Sequence, residues 1–146
     1  MEREPPGPRL GIDFGTKRMG AAVSDLLGTV RPLETRLRGR FDEDVRWIRD
    51  LVAKWDVLEV VVGLPLTEDG TETGATRRAR RFVQDLRGAL SVPVTEWDEL
   101  LSSQEADRRM RRDGVKEPQK WRDAYAAAVI LDDLLRHRSA MTPRLG

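Results

Sequence analysis

The chain of 146 residues contains no cysteine, which excludes disulfide bonds and thiolate metal sites. This absence fits a reducing compartment, and we expect a cytoplasmic protein. Long hydrophobic runs are also missing, since no stretch approaches the roughly 18 apolar residues that cross a bilayer. Residues 1–9 are charged and proline-rich without an apolar centre, so we do not expect a secretory signal there. The single histidine, His137, is predicted to lie near a helix end as a favourable charge rather than to act as a catalytic base.

An excess of charge of one sign is lacking as well, because the formal net charge is only +1 although 35% of the residues are charged. The overall charge therefore does not by itself indicate a nucleic-acid-binding protein. Arginines nevertheless gather in two segments, and each segment fits either a solvated helix face or a surface that neutralises phosphates. These segments contain Arg77, Arg78, Arg80 and Arg81, and then Arg108, Arg109, Arg111 and Arg112.

Hydrophobic periodicity divides the chain into strands and helices. The predicted strands cover residues 9–13, 19–24, 29–38, 59–63 and 92–96. The predicted helices cover residues 41–55, 75–90, 103–113 and 121–137, with a loop at 65–74 and a polar linker at 116–120. A meander of three strands followed by right-handed crossovers predicts an α/β fold, with one mixed five-stranded sheet and helices on both faces. We expect one domain over residues 9–138, flanked by tails at 1–8 and 139–146.

Acidic residues stand at three places where such a fold could bring them together. Asp13 ends the first apolar strand, Asp98 and Glu99 stand just after the fifth, and Asp123 lies in the first turn of an alanine-rich helix. Taken singly, each acid fits an ordinary turn or a favourable charge at a helix N-terminus. Taken together, carboxylates from separate elements are the ligands that Mg²⁺ or Mn²⁺ prefers. Two such ions about 3.5–4 Å apart can activate water and stabilise the leaving oxygen during phosphodiester cleavage.

Four motifs, in this order and spacing, carry a resemblance to a known family. They are Asp13-Phe14-Gly15-Thr16-Lys17, Val62-Gly63-Leu64-Pro65-Leu66 with Asp69-Gly70-Thr71, Asp98-Glu99 with Ser102, and Asp123-Ala124 continuing to Ile130-Leu131. From about residue 10 to residue 135 the chain resembles the YqgF (RuvX) family. The resemblance implies a ribonuclease-H-like fold related to Holliday-junction resolvases. It also implies a nuclease that acts at the 5′ end of pre-16S ribosomal RNA.

The resemblance assigns roles to individual residues. Asp13, Glu99 and Asp123 correspond to the three catalytic, metal-binding acids, and Asp98 is an alternative to Glu99 as a metal ligand. The expected cofactor is a divalent metal, Mg²⁺ or Mn²⁺. The expected contacts to nucleic acid are Thr16, Lys17, Arg18, Arg77, Arg80, Arg81 and Ser102. One position departs from the family pattern, because Leu100 stands where the family usually has an arginine.

Several alternatives stay open at the level of the sequence. The substrate could be a branched DNA junction instead of structured RNA, which would favour a homodimer over a monomer. The chain could also be a catalytically silent nucleic-acid-binding module, which the departure at Leu100 favours. The motif at Asp13 further resembles the first phosphate-binding segment of actin-like and sugar-kinase ATPases. Those proteins need a second, similar lobe, and no second Asp-x-Gly-Thr occurs in the chain.

Overall fold

A computed structural model describes residues 7–99 and 102–141 of the chain. Within these ranges the secondary structure consists of five strands and four helices. The strands are β1 (Arg9–Phe14), β2 (Arg18–Ser24), β3 (Val30–Leu37), β4 (Glu59–Pro65) and β5 (Val94–Glu99). The helices are α1 (Phe41–Trp55), α2 (Gly74–Ala89), α3 (Ser102–Asp113) and α4 (Pro118–Met141).

The five strands form one mixed sheet in the order β3-β2-β1-β4-β5. The first three strands pair antiparallel as a meander, whereas β4 lies parallel to β1 and β5 lies parallel to β4. The predicted α/β sheet is therefore confirmed. Because β1, β4 and β5 run in the same direction, their carboxyl ends meet at one edge of the sheet, which we call the carboxyl edge.

The two faces of the sheet are covered by different helices. Side chains of α1 and α2 pack on one face, in the main hydrophobic core with Leu10, Ile12, Val60 and Val62. Successive strand residues point to opposite faces, so the other face presents residues such as Val61, which packs against α4. Helix α3 in turn packs on the outer side of α4. The prediction of helices on both faces is confirmed.

Helix α4 lies unusually close to the sheet because glycines and alanines line the contact. A Cβ atom on Gly20 would lie 1.9 Å from the carbonyl oxygen of Asp123, and one on Gly11 would lie 2.8 Å from that of Ala127. On the side of the helix, Ala124, Ala127 and other alanines are fully or almost fully buried. Small residues on both sides therefore bring the backbone of α4 next to β1 and β2.

Some predicted boundaries were wrong. Helix α4 begins at Pro118, inside the predicted linker, because proline is well accommodated in the first turn of a helix, where its missing N–H leaves no hydrogen bond unmade. The helix also continues past His137 to Met141, so part of the expected C-terminal tail is helical. Helical periodicity in the sequence predicts Trp121 on the apolar face of this helix, but its side chain is 38% exposed because it lies in the first turn, ahead of the buried alanines. Residues 1–6 and 142–146 of the expected tails lie outside the described residues.

The amino end of β4 is joined to α4 by a buried ion cluster. Glu59 accepts hydrogen bonds from both terminal nitrogens of Arg138, at 2.7 and 2.9 Å, and from Nε of Arg9 at 3.3 Å. Thr95 donates a further hydrogen bond to the same carboxylate. Burial alone would raise the pKa of Glu59, but the hydrogen bonds from Arg138 and Thr95 outweigh it and lower this pKa below its usual range. The cluster fixes the distal part of α4 at the end of the sheet opposite the carboxyl edge.

None of the helices within residues 7–99 and 102–141 has the length and apolar character that crossing a membrane requires.

Candidate active site

Asp13 is the penultimate residue of β1 and lies at the carboxyl edge. It pairs with Gly20 of β2 on one side and with Gly63 of β4 on the other. Its side chain points to the same face as that of Gly11, two residues earlier, and Gly11 faces α4. The aspartate therefore lies beneath α4, between two glycines that leave space around its carboxyl group.

Glu99 reaches the same place from β5. It is the last residue of that strand and pairs with Pro65 of β4. A Cβ atom on Gly63 would lie 2.8 Å from Oε2 of Glu99 and 2.5 Å from Cδ1 of Ile130. Because Gly63 has no side chain, the carboxylate of Glu99 can extend over β4 toward Asp13, and the two carboxyl groups share a hydrogen bond.

Asp123 approaches from α4, directly above β2. Its backbone lies against Gly20, the partner of Asp13 in the sheet. Its carboxylate accepts a hydrogen bond from Nε of Arg18, the first residue of β2, with 3.0 Å between Nε and Oδ2. The three predicted acids thus come from β1, β5 and α4 and gather at the carboxyl edge.

Burial and like charges together determine the electrostatics of this edge. Burial raises the pKa of Asp13 well above its usual value, and the nearby carboxylates of Glu99 and Asp123 raise it further. A carboxyl group in such surroundings resists ionisation unless a cation is close. The carboxyl groups of Asp13, Glu99 and Asp123 therefore provide several oxygen ligands, which a hard divalent cation prefers.

The carboxylates are not arranged as a closed metal centre. Among residues 7–99 and 102–141, no three histidine, cysteine, aspartate or glutamate side chains are close enough together to hold an ion as they stand. The ion pair with Arg18 also engages one oxygen of Asp123, so that oxygen is occupied as the side chains stand. A cation shared by Asp13, Glu99 and Asp123 therefore requires rearrangement of side chains, and these metal ligands stay a prediction.

Asp98 and Glu99 are separated by the pleat of β5. Adjacent strand residues point to opposite faces, so the exposed Asp98 side chain lies on the α2 side of the sheet. Its charge contributes to raising the pKa of Arg80, after the larger effects of Glu72 and Glu96, which agrees with this placement. We therefore do not include Asp98 among the proposed metal ligands.

The predicted nucleic-acid contacts occupy different positions around the edge. Thr16 and Lys17 are exposed in the turn between β1 and β2, next to Arg18. Arg77 and Arg81 are exposed on α2. Arg80 forms ion pairs with Glu72 and Glu96, so a phosphate would compete with these carboxylates for it. Ser102 is the first residue of α3, and Leu100 lies outside the described residues.

The loop after β4 has hydrogen bonds of its own. The sequence fits residues 67–74 equally well as a loop near the acids that could clamp a substrate and as an idle surface loop, and both stay open. Asp69 in this loop accepts hydrogen bonds from Thr67 and Thr71, which lower its pKa to about 2. Thr76 of α2 donates a hydrogen bond to the carbonyl oxygen of Pro65 and so ties the start of that helix to the end of β4. The exposed end of α2, with its arginines, is thereby held beside the carboxyl edge.

Two residues that support the site were missed by sequence reasoning. Arg38 donates hydrogen bonds to the carbonyl oxygens of Gly15 and Thr16, at 3.2 and 3.1 Å, and its guanidinium lies 4.2 Å from the ring centre of Phe14. The buried carboxylate of Asp44 in turn lies near Arg38, with 3.9 Å between Oδ2 of Asp44 and Nε of Arg38. Together these residues position the turn that follows Asp13. The one available signal was the acidic first turn of α1, which looked like ordinary helix stabilisation.

This architecture, with acidic residues at the carboxyl edge of a five-stranded mixed sheet, is a ribonuclease-H-like fold. The solved structure of T. thermophilus RuvC in complex with Holliday junction substrate has the same fold, with a TM-score of 0.54 at 19% identity, covering 91% of this chain and 96% of that one. The sequence pattern of the RuvX family, described as Holliday junction resolvase, matches residues 7–137. The chain belongs to the RuvX family.

Relatives from two bacteria support the same assignment. A protein of Anaeromyxobacter sp. strain K is 44% identical over 89% of this chain and 97% of its own length. One of Syntrophus aciditrophicus is 42% identical over 86% of each chain. Both relatives are named as candidate pre-16S rRNA nucleases.

Proposed function

We propose that the protein is a metal-dependent nuclease that hydrolyses phosphodiester bonds at the 5′ end of pre-16S ribosomal RNA. Asp13, Glu99 and Asp123 are its metal ligands in this proposal. The observation that carries the proposal is the gathering of these three acids at one sheet edge, where the pKa of Asp13 is raised. The names of the relatives from Anaeromyxobacter and Syntrophus favour ribosomal RNA as the substrate.

The residues of the chain divide the work of binding and catalysis. Divalent ions, Mg²⁺ or Mn²⁺, would supply an activated water and charge stabilisation at the phosphate. The carboxylates of Asp13, Glu99 and Asp123 would hold them from three sides. Exposed groups around the edge, namely Lys17, Arg77 and Arg81, would bind the phosphates of the flanking backbone, where each contact adds affinity that falls with rising salt.

A second substrate remains a candidate because of one finding. The RuvX family is described as Holliday junction resolvase, which favours a branched DNA with two strands to cut. Cutting paired strands requires two sites related by symmetry, so this activity predicts a homodimer, whereas cleavage of one RNA strand is compatible with a monomer. Measuring the mass of the protein in solution, alone and with each nucleic acid, separates the two cases.

The decisive experiment is a cleavage assay with purified protein, Mg²⁺ or Mn²⁺, and either precursor ribosomal RNA or a four-way DNA junction. Loss of an outer-shell partner commonly costs 10- to 100-fold at metal sites, so we expect D13N, E99Q and D123N each to lose about 100-fold or more. The matched control is D98N, which removes the neighbouring charge on the opposite face and should leave the rate nearly unchanged. Equal activity of D13N and the wild type would contradict the site, and cleavage by neither would favour a binding module.

A further inference from the structure

Arg18 is a basic residue whose contact lies inside the proposed site. Its Nε atom donates to Oδ2 of Asp123 across 105 positions of sequence, and it joins the start of β2 to the first turns of α4. The Arg18 side chain is 50% exposed, whereas that of Asp123 is 21% exposed. The guanidinium thus covers the carboxylate from the solvent side.

The same carboxylate oxygen cannot accept from Arg18 and coordinate a cation at full strength. A positive guanidinium 3.0 Å from Oδ2 also repels a divalent ion at that position. With Asp123 held in this way, no three acidic side chains in residues 7–99 and 102–141 are close enough to form an ion site. Release of Asp123 from Arg18 is therefore one of the side-chain movements that completion of the site requires.

We propose that Arg18 is an electrostatic latch, which pairs with Asp123 in the free protein and moves to a phosphate of the nucleic acid when substrate binds. This movement frees the carboxylate of Asp123 for a divalent cation. The inference deepens the proposed function and depends on it, since it assigns the coupling between substrate binding and metal binding to one residue.

The physical properties of the pair fit such a role. An ion pair that is half exposed is weak, so a competing anion can break it. A backbone phosphodiester carries the same single charge as a carboxylate and likewise offers two oxygens for parallel hydrogen bonds to a guanidinium, so it can compete with Asp123 for Arg18. Lys17 and Thr16, exposed directly before Arg18, would bring the nucleic-acid backbone within its reach.

The first test measures Mn²⁺ binding to the free protein by calorimetry. Because the change removes a half-exposed ion pair, we expect R18Q to bind Mn²⁺ about two- to fivefold more tightly than the wild type does. The matched control is R122Q. The side chain of Arg122 is 49% exposed and pairs at 3.0 Å with Asp107, so this change removes the same charge next to Asp123 without touching the latch. The affinity of R122Q should stay close to that of the wild type.

The second test measures binding of a short single-stranded RNA in EDTA, where no cleavage occurs. We expect R18Q to bind more weakly and to lose about one unit from the slope of log affinity against log salt, as for one lost phosphate contact. Changing Asp123 to asparagine releases Arg18, so D123N should bind the RNA more tightly than the wild type does. In the R18Q background the D123N change should have a clearly smaller effect, which a double-mutant cycle detects.

The outcomes separate the latch from the proposed function. Any of three results for Mn²⁺ would overturn the latch. R18Q could bind Mn²⁺ no more tightly than the wild type, R18Q and R122Q could gain equally in Mn²⁺ affinity, or D123N could leave the Mn²⁺ affinity unchanged. Additive effects in the RNA cycle would overturn it too. If D13N abolishes cleavage while any of these results is found, the nuclease assignment stands and only the latch fails.

Discussion

Asp13 lies in a place that opposes its own ionisation. Burial and two neighbouring carboxylates raise its pKa, and the glycines on either side provide no donor side chain to offset this. A group whose pKa is raised by folding destabilises the folded state at every pH at which the unfolded chain would ionise it. The clustering of buried carboxyl groups that makes the edge suitable for cations therefore lowers the stability of the folded protein when no cation is bound.

We predict that D13N is more stable than the wild type in EDTA at neutral pH, with a melting temperature higher by a few degrees. Since the wild type loses stability only as pH rises above the usual aspartate pKa toward the raised one, the advantage of D13N should shrink to nothing in acid. Thermal unfolding from acid to neutral pH checks this. Added Mn²⁺ should stabilise the wild type more than D13N, and a pH-independent difference between the two would contradict the prediction.

At the scale of elements, glycines determine how closely α4 approaches the sheet. Gly20 faces the backbone of Asp123, whereas Gly63 faces only the ends of two side chains, those of Ile130 and Glu99. Backbone atoms in a packed helix cannot move aside cheaply, but side-chain ends can. The two glycines, both partners of Asp13, therefore have different structural roles.

We predict that G20A lowers the free energy of unfolding by about 3 kcal/mol or more, and G63A by roughly 1 kcal/mol, the two ends of the range for overpacking. G63A should nevertheless lose most of its cleavage activity, because its Cβ atom would displace Oε2 of Glu99. Urea unfolding combined with the cleavage assay tests both statements. A folded G63A with full activity would show that the position of Glu99 does not matter.

The order and type of the elements followed from periodicity, because buried strands and amphipathic helices alternate clearly in this chain. The start of α4 could not be predicted from periodicity, because a proline such as Pro118 fits both a helix breaker and a first-turn residue. The positions of Asp13, Asp98, Glu99 and Asp123 in the predicted fold marked them as candidates, and the family resemblance assigned the catalytic roles, because each acid alone fits a turn or a helix N-terminus.

Contacts distant in sequence could not be predicted. The pairing of Arg18 with Asp123 and the support of the turn after Asp13 by Arg38 depend on side-chain directions that only the assembled sheet defines. The separation of Asp98 from Glu99 likewise follows from the pleat, once the register of β5 is known. Sequence patterns located the residues of the site, and the three-dimensional arrangement distinguished their roles.

At the scale of the whole molecule, α4 is the element that connects the two ends of the sheet. Near its start it contributes Asp123 to the carboxyl edge, and near its end Arg138 binds the buried Glu59. Since the buried cluster fixes one end of the helix, it also helps to position the other end. Stability and activity are thus linked through a single helix.

We predict that E59Q lowers the free energy of unfolding by roughly 3 kcal/mol at neutral pH, as expected when one partner of a buried ion pair is removed. Folding lowers the pKa of Glu59, so its contribution is complete above the usual glutamate pKa and is lost as pH falls through the lowered one. The difference between E59Q and the wild type should therefore narrow in acid. Urea unfolding at several pH values measures it, and a difference that widens in acid would contradict the assignment.

The late position of α4 in the chain has a consequence for synthesis of the protein. While a ribosome is still translating this message, Asp13 and Glu99 emerge first, and the sheet lacks the cover that α4 supplies over β1 and β2. Under the proposed assignment, a nascent chain that lacks α4 carries two of the three ligands and has no complete site. The site is assembled only after α4 has been made and has packed over β1 and β2.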